Sequence, residues 1–235
     1  MKPAAPFGRP HHLRAPARRI VTTSALPAPA TARFRFKTVL WIGLGSATLF
    51  VFITSEVLLV AGYPMYDAYR QQVISDRNLL VPHVLAAFLA LLIGPINFSR
   101  RIRQHHLQLH RILGRIYVIS VFVGAATGVA LAAGRPGLPG TCMQAAAWVV
   151  CTTAALVTAR NGQIVQHRQW MVRSYAVTFT FVSSRLLNLW PRYWSHLGDT
   201  LASVGIIAFT LASLLIVDLG LSWRELTSRR DGARL

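Results

Sequence analysis

Residues Arg100–Tyr117 read RRIRQHHLQLHRILGRIY. A short, strongly basic loop runs here straight into an apolar helix. The stretch carries His105, His106 and His110, and helical spacing puts His110, Gly114 and Tyr117 on one face. A second segment answers it at His167–Arg173, HRQWMVR, where another basic loop leads into another apolar helix. Around these two lead-ins, apolar runs of roughly 20 residues recur, the length a helix needs to cross a bilayer. The fold expected is therefore an all-α integral membrane bundle.

Six spans are expected, at about 38–63, 79–98, 112–133, 143–159, 170–189 and 200–219. They form one membrane domain over 38–221. A basic tail, 1–37, precedes it and reads as disordered and cytoplasmic, being rich in Pro, Ala and Arg without hydrophobic periodicity. Arg18-Arg19 is not followed by the apolar run and cleavage site of a twin-arginine signal. A short tail, 222–235, closes the chain. Lys and Arg gather in the N-terminal tail, the 99–111 and 160–169 loops and the C-terminal tail, which places both termini in the cytoplasm. The plasma membrane of a bacterium is the expected location, and the preference for Arg over Lys suits a GC-rich genome. Gly94-Pro95 is expected to kink or end the second span. Gly124 and Gly128 form a GxxxG spacing, which serves either close packing inside the bundle or a homodimer.

The formal charge of +18 on 235 residues would point to nucleic acid in a soluble chain. Here the arginines sit at the ends of apolar runs, the pattern of membrane anchoring, so lipid headgroups and not nucleic acid are the expected partners. Cys142 and Cys151 are nine helical residues apart, about 14 Å, too far for a disulfide.

No Asp or Glu lies between Asp76 and Asp199. That gap argues against paired-carboxylate hydrolysis, a carboxylate-bridged metal pair and a Ser-His-Asp triad in the core. Glu56 and Arg185 both fall toward the outer leaflet and are expected to form an ion pair. Asp218 is expected to serve Arg111, Arg115 or Arg160. Arg173 has no acidic partner nearby in the sequence, and its companions are Arg111, Arg115, Arg168 and the histidines. Such a cluster repels itself unless its side chains snorkel to the interface or an anion joins it: a lipid phosphate, a haem propionate or an anionic substrate.

Three readings of the histidines stay open. His106 and His110 have the i, i+4 spacing of a helical metal pair, with His167 as a third ligand. Alternatively, His110 and His167 head two spans on one side and clamp a haem iron axially, with Arg111, Arg168 or Arg173 on the propionates. His83 lies near the other face, too far to share that iron, and as a cofactor-binding residue it would serve a second haem with His196, the only other outer histidine. In the third reading the histidines are hydrogen-bonded residues that lock helix ends together.

These residues carry a resemblance. His83 followed by Gly94-Pro95, then LHRILGRIYV at Leu109–Val118, HRQWMVRSYA at His167–Ala176 and Arg185 resemble DUF2306, a bacterial family of multi-pass membrane proteins. The likeness covers about Pro82–Leu187, and Asn97 stands where the family pattern has Gln. It implies an integral membrane protein and singles out His83, His110, Arg111, Gly114, His167, Arg168, Trp170, Met171, Arg173 and Arg185, without an activity. The layout is also similar to the cytochrome b561 and ferric-reductase class, small bundles with histidines near both faces.

The expected function is a b-type haem-binding or quinone-linked electron-transfer protein using His110 and His167. The alternative is a non-enzymatic carrier or scaffold that binds an anionic lipid or solute. A metal-dependent membrane hydrolase is a third.

Overall fold

The long apolar stretches become long helices. The computed structural model describes residues 43, 45–54, 75–188 and 198–227, with the side chains of 184–188, 198–202 and 224–227 excepted. A helical segment over 45–54 comes first. It is followed by α1 (Arg77–Phe98), α2 (Arg100–His105), α3 (Leu107–Ala132), α4 (Leu138–Arg160), α5 (Ile164–Asn188) and α6 (Gly198–Thr227). No strand occurs among the described residues.

α1, α3, α4 and the 203–223 part of α6 are each long and apolar enough to cross a membrane. α5 is long enough at 25 residues but is more polar. Among its described side chains Ser174, Thr178 and Thr180 are the buried polar ones, and α5 packs against α4, α6 and α1. Its hydroxyls face protein, so α5 need not be apolar throughout. The outer surface is the reverse. Leu85, Ile119, Phe122, Val150, Leu215 and Ile216 are all exposed. A surface that apolar requires lipid around it.

α1 pairs with α3, α3 with α4, α4 with α5, and α6 lies against both α4 and α5. The connections from α3 to α5 are short, so neighbours alternate in direction and α3 and α5 run parallel. Gly134 and Gly162 make those turns with φ of +72° and +71°, values L side chains rarely adopt. Asp76 and Arg135 form a 2.7 Å ion pair that ties the start of α1 to the α3–α4 turn.

Several boundaries differ from the sequence reading. Arg100–His105 is a helix and not a loop, because Arg and Gln are good helix formers. Ser99 and His106 break the backbone on either side, with φ, ψ of −62°, 126° and −134°, 56°. α3 begins five residues before the expected Ile112, and α5 six before Trp170, so His110, His167 and Arg168 belong to the helices they were expected to precede. α1 starts at Arg77, which puts Pro82 in its second turn. It runs on through Gly94-Pro95 to Phe98. α6 continues past Asp218 to Thr227. The 1–37 tail, Glu56 and His196 lie outside the described residues, as does the Arg185 side chain, and with it the expected Glu56–Arg185 pair.

GxxxG is used inside the bundle. A Cβ at Gly124 would stand 3.1 Å from the Trp148 ring, and one at Gly128 would stand 2.9 Å from His83 Cε1. α1 and α4 therefore both close onto α3 at these two glycines.

Candidate functional site

Two levels of the bundle carry polar side chains between α3 and α5. The deeper level is a buried hydroxyl network. Tyr117 on α3 has no exposed surface. Its Oη lies 2.8 Å from Ser174 Oγ and 2.9 Å from Thr178 Oγ1, both on α5. Trp148 Nε1 on α4 donates to Thr178 Oγ1 at 2.8 Å. Thr152 Oγ1 lies 2.7 Å from Ser174 Oγ and donates to the Trp148 carbonyl at 2.7 Å.

One placement of protons satisfies every member. The indole N–H donates to Thr178, Thr178 to the Ser174 carbonyl, Tyr117 to Ser174 Oγ, Ser174 to Thr152, and Thr152 to the Trp148 carbonyl. The circuit starts and ends on Trp148, so it pins α3, α4 and α5 together. α3 and α5 meet here through side chains, with Tyr117 filling the space between their backbones. The sequence shows Tyr117 on the His110 face but gives no sign of its partners. The signal is Ser174 and Thr178 at i, i+4 on the helix headed by His167.

The second level lies two turns nearer the start of both helices. His110 is seven residues before Tyr117, and His167 is seven before Ser174. Each histidine therefore stands about 10.5 Å along its helix from the hydroxyl network. His167 Nδ1 donates to the Ala155 carbonyl on α4 at 2.8 Å. That fixes the tautomer and leaves Nε2 unprotonated in the neutral ring. His110 is within electrostatic reach of His167, Arg103 and Arg111. Arg103, on α2, is pulled below the usual arginine pKa by burial first, then by Arg168 and Arg100. The two basic lead-ins thus converge, as the sequence suggests, and Arg103 is the member of the cluster that reading misses.

Arg173 has left this cluster. Its Nε donates to Asp218 Oδ1 on α6 at 2.7 Å, and its guanidinium lies 4.8 Å from the centre of the Trp170 ring. This corrects the expectation that Arg173 lacks an acid and that Asp218 serves Arg111, Arg115 or Arg160. Register explains it: Asp218 is inside α6, opposite α5, and α5 carries the arginine.

His83 is at the far end of α1, 14 residues or about 21 Å from Asn97 along the axis. Its Nδ1 donates to the Gly124 carbonyl at 2.9 Å and is 3.5 Å from Thr127 Oγ1. It shares no site with His110 and His167. Of the other residues the resemblance singles out, Met171 packs on the Tyr117 core, and Gly114 faces Asn97.

No group of three His, Cys, Asp or Glu side chains among the described residues is placed to hold a metal ion. His106 caps α3 at a break in the backbone and is exposed, so the i, i+4 pair with His110 is not built on one regular helix. Cys142 is exposed and Cys151 buried, and both are free thiols.

What this arrangement offers chemically is positive charge and imidazole at one end of the bundle, above a closed hydroxyl circuit. No curated protein and no solved structure matches the chain. The likeness to cytochrome b561 and ferric reductases therefore rests on the sequence layout alone. The family model of DUF2306, described as a predicted membrane protein, matches residues 80–220, most of the chain, and the chain belongs to that family of membrane proteins.

Proposed function

We propose that the basic end of the bundle binds an anionic group, either a lipid headgroup or a small phosphate- or carboxylate-bearing solute. One observation carries this reading. Arg168 and Arg100 stand close enough to Arg103 to disfavour its charge, and His110 lies near Arg103, Arg111 and His167. The two carboxylates whose side chains are described are committed elsewhere: Asp76 to Arg135 and Asp218 to Arg173. A cationic cluster of this kind is stabilised by an anion that accepts charge-assisted hydrogen bonds. In this reading the protein crosses a bacterial plasma membrane six times, with α5 as an inner span. The cluster then faces the cytoplasm, where anionic lipids give it a ready partner.

The test is thermal unfolding of the detergent-purified protein with added phosphatidylglycerol, phosphatidylcholine or inorganic phosphate. Stabilisation by phosphatidylglycerol alone assigns a lipid. Stabilisation by phosphate alone assigns a solute. An Arg103→Gln/Arg168→Gln variant should lose either effect. Equal response to all three additions sinks the reading.

His167 favours a second reading, a b-type haem protein. A ligating imidazole commonly donates its other N–H to a carbonyl, which is what His167 does with Ala155. Bound haem would supply one-electron transfer. His110 and His167 would hold its iron and Arg111 and Arg168 its propionates, since Asp218 already neutralises Arg173. An oxidised-minus-reduced spectrum of protein expressed with haem supplied decides it. A haem signature that His167→Ala abolishes supports this reading, and a flat spectrum removes it.

A further inference from the structure

α6 is the least covered of the apolar spans. Its apolar window is 6% buried, against 22% to 39% in α1, α3 and α4. One side of it packs on α4 and α5, where Ser203 and Thr210 are buried. The other side shows Val204, Ala208, Leu211, Leu215 and Asp218, all exposed, at alternating steps of four and three residues. That is the 3.5-residue repeat of a seam between two helices that cross at a small angle.

Lipid alone can face the first four of these residues. It is a poor neighbour for the fifth. Asp218 is five residues, about 7.5 Å, inside the end of the span at Trp223. Its side chain is 51% exposed, and Leu215, Ile216 and Leu219 around it are exposed as well. Charged side chains within a span ordinarily face the bundle interior or a water-filled cavity, so an outward one points to a protein neighbour. Arg173 meets part of the need. Its Nε donates to Asp218 Oδ1, and among the described residues neither side chain makes another hydrogen bond. A guanidinium has five N–H donors and a carboxylate accepts at both oxygens, so most of the capacity of the pair is unspent.

The pair itself selects the neighbour. A cation and an anion side by side are their own complement under a two-fold rotation. Two copies inserted the same way hold identical residues at one depth. Turned about an axis along the membrane normal, each brings its Arg173 to the other's Asp218. The seam then meets in register, Leu211 and Leu215 against their own counterparts, and Ala208 lets the helices approach. A different membrane protein would need a cation and an anion of its own at this depth, which a second copy already has.

We propose that α6 is the interface of a homodimer, closed by a four-membered ring of Arg173 and Asp218 from both copies. This is independent of the anion-binding reading, and it places the dimer on α6 and not on the glycines of α3.

Cysteine crosslinking in lipid vesicles tests it, in the full chain with Cys142→Ala to remove the exposed native thiol. Leu211→Cys and Leu215→Cys should form a disulfide-linked dimer on oxidation. Ile119→Cys, exposed on α3, should not. Sedimentation equilibrium of the detergent-solubilised protein then reads the affinity. Asp218→Asn should weaken dimerisation about ten-fold, the worth of one charge-assisted hydrogen bond. The charge swap Arg173→Asp/Asp218→Arg keeps the pair within each copy and the ring between copies, and should restore it.

Crosslinking at Ile119 as strong as on the seam, or at neither place, overturns the proposal. So does a wild type that sediments as a monomer at every concentration. Dimerisation unmoved by Asp218→Asn removes the ring, and with it the reason for choosing a second copy. Crosslinking leaves the ion pair intact, so it decides the matter even if the Asp218 variants do not fold.

Discussion

The hydroxyl of Tyr175 on α5 donates to the carbonyl of Leu91 on α1 at 3.2 Å. Leu91 is four residues before Pro95, so its carbonyl is the one that Pro95, lacking an N–H, leaves without a helical donor. Gly94 completes the fit. The Tyr175 ring lies where a Cβ of residue 94 would be, and it also meets the Phe98 ring edge-on at 5.6 Å. The Gly-Pro pair is thus a socket for a tyrosine 80 residues further on, and it lets α1 continue to Phe98 with its ladder repaired.

This pairing predicts a specific non-additivity. Tyr175→Phe should cost about 1–2 kcal/mol, because it leaves the Leu91 carbonyl buried without a donor. In a Pro95→Ala background the restored N–H serves that carbonyl, and the same Tyr175→Phe change should cost much less. Denaturant unfolding of the four proteins in detergent measures the coupling. Equal costs in both backgrounds mean that Tyr175 Oη is not the substitute donor.

The Tyr117 circuit predicts a cost from a single oxygen atom. Tyr117→Phe keeps the ring in its packed place and removes the link to Ser174 and Thr178. With the site fully buried, a loss of about 1–3 kcal/mol is expected. Ser174→Ala should be sub-additive with it, since both break the same chain. A change within error for Tyr117→Phe would show that the hydroxyls re-pair without it.

Gly128 separates internal packing from self-association. His83 Cε1 stands 2.9 Å from the position of an added Cβ, so Gly128→Ala must push the imidazole aside and strain its bond to the Gly124 carbonyl. A loss of about 1 kcal/mol is expected. The molar mass by light scattering should not change, because both glycines of the motif face α1 and α4 of the same chain. A Gly128→Ala protein that keeps its stability but changes mass would return the motif to a dimer interface.

Much of the fold is legible along the chain because lipid imposes it. A run such as Leu79–Phe98 has one structure open to it, and its length states the class. Boundaries are less legible. Arg, Gln and Leu are good helix formers in water as well as in lipid, so the helices run past the apolar runs into Arg103, His110 and Arg168. The convergence of the two basic segments follows from span order and is readable. The hydroxyl circuit is not, since a serine or threonine in a membrane helix bonds its own preceding turn as readily as a partner. Thr152 and Thr178 do both at once.

Arg173 shows the same limit and supplies the last prediction. Reading along the chain gives no reason to join it to Asp218, 45 residues away on another helix. The pair is partly covered, with 22% of the arginine side chain exposed and 51% of the aspartate. Asp218→Asn leaves the guanidinium without its counter-charge inside the bundle, and a loss of about 1–3 kcal/mol is expected. Arg173→Met in addition should recover most of that loss, because the double variant buries no lone charge and keeps an apolar stem against Trp170. Thermal unfolding of the two single variants and the double variant in detergent provides the comparison. A double variant no better than Asp218→Asn would mean that Arg173 is held by something other than Asp218. The anionic ligand would then extend two turns deeper than the His110 and His167 level.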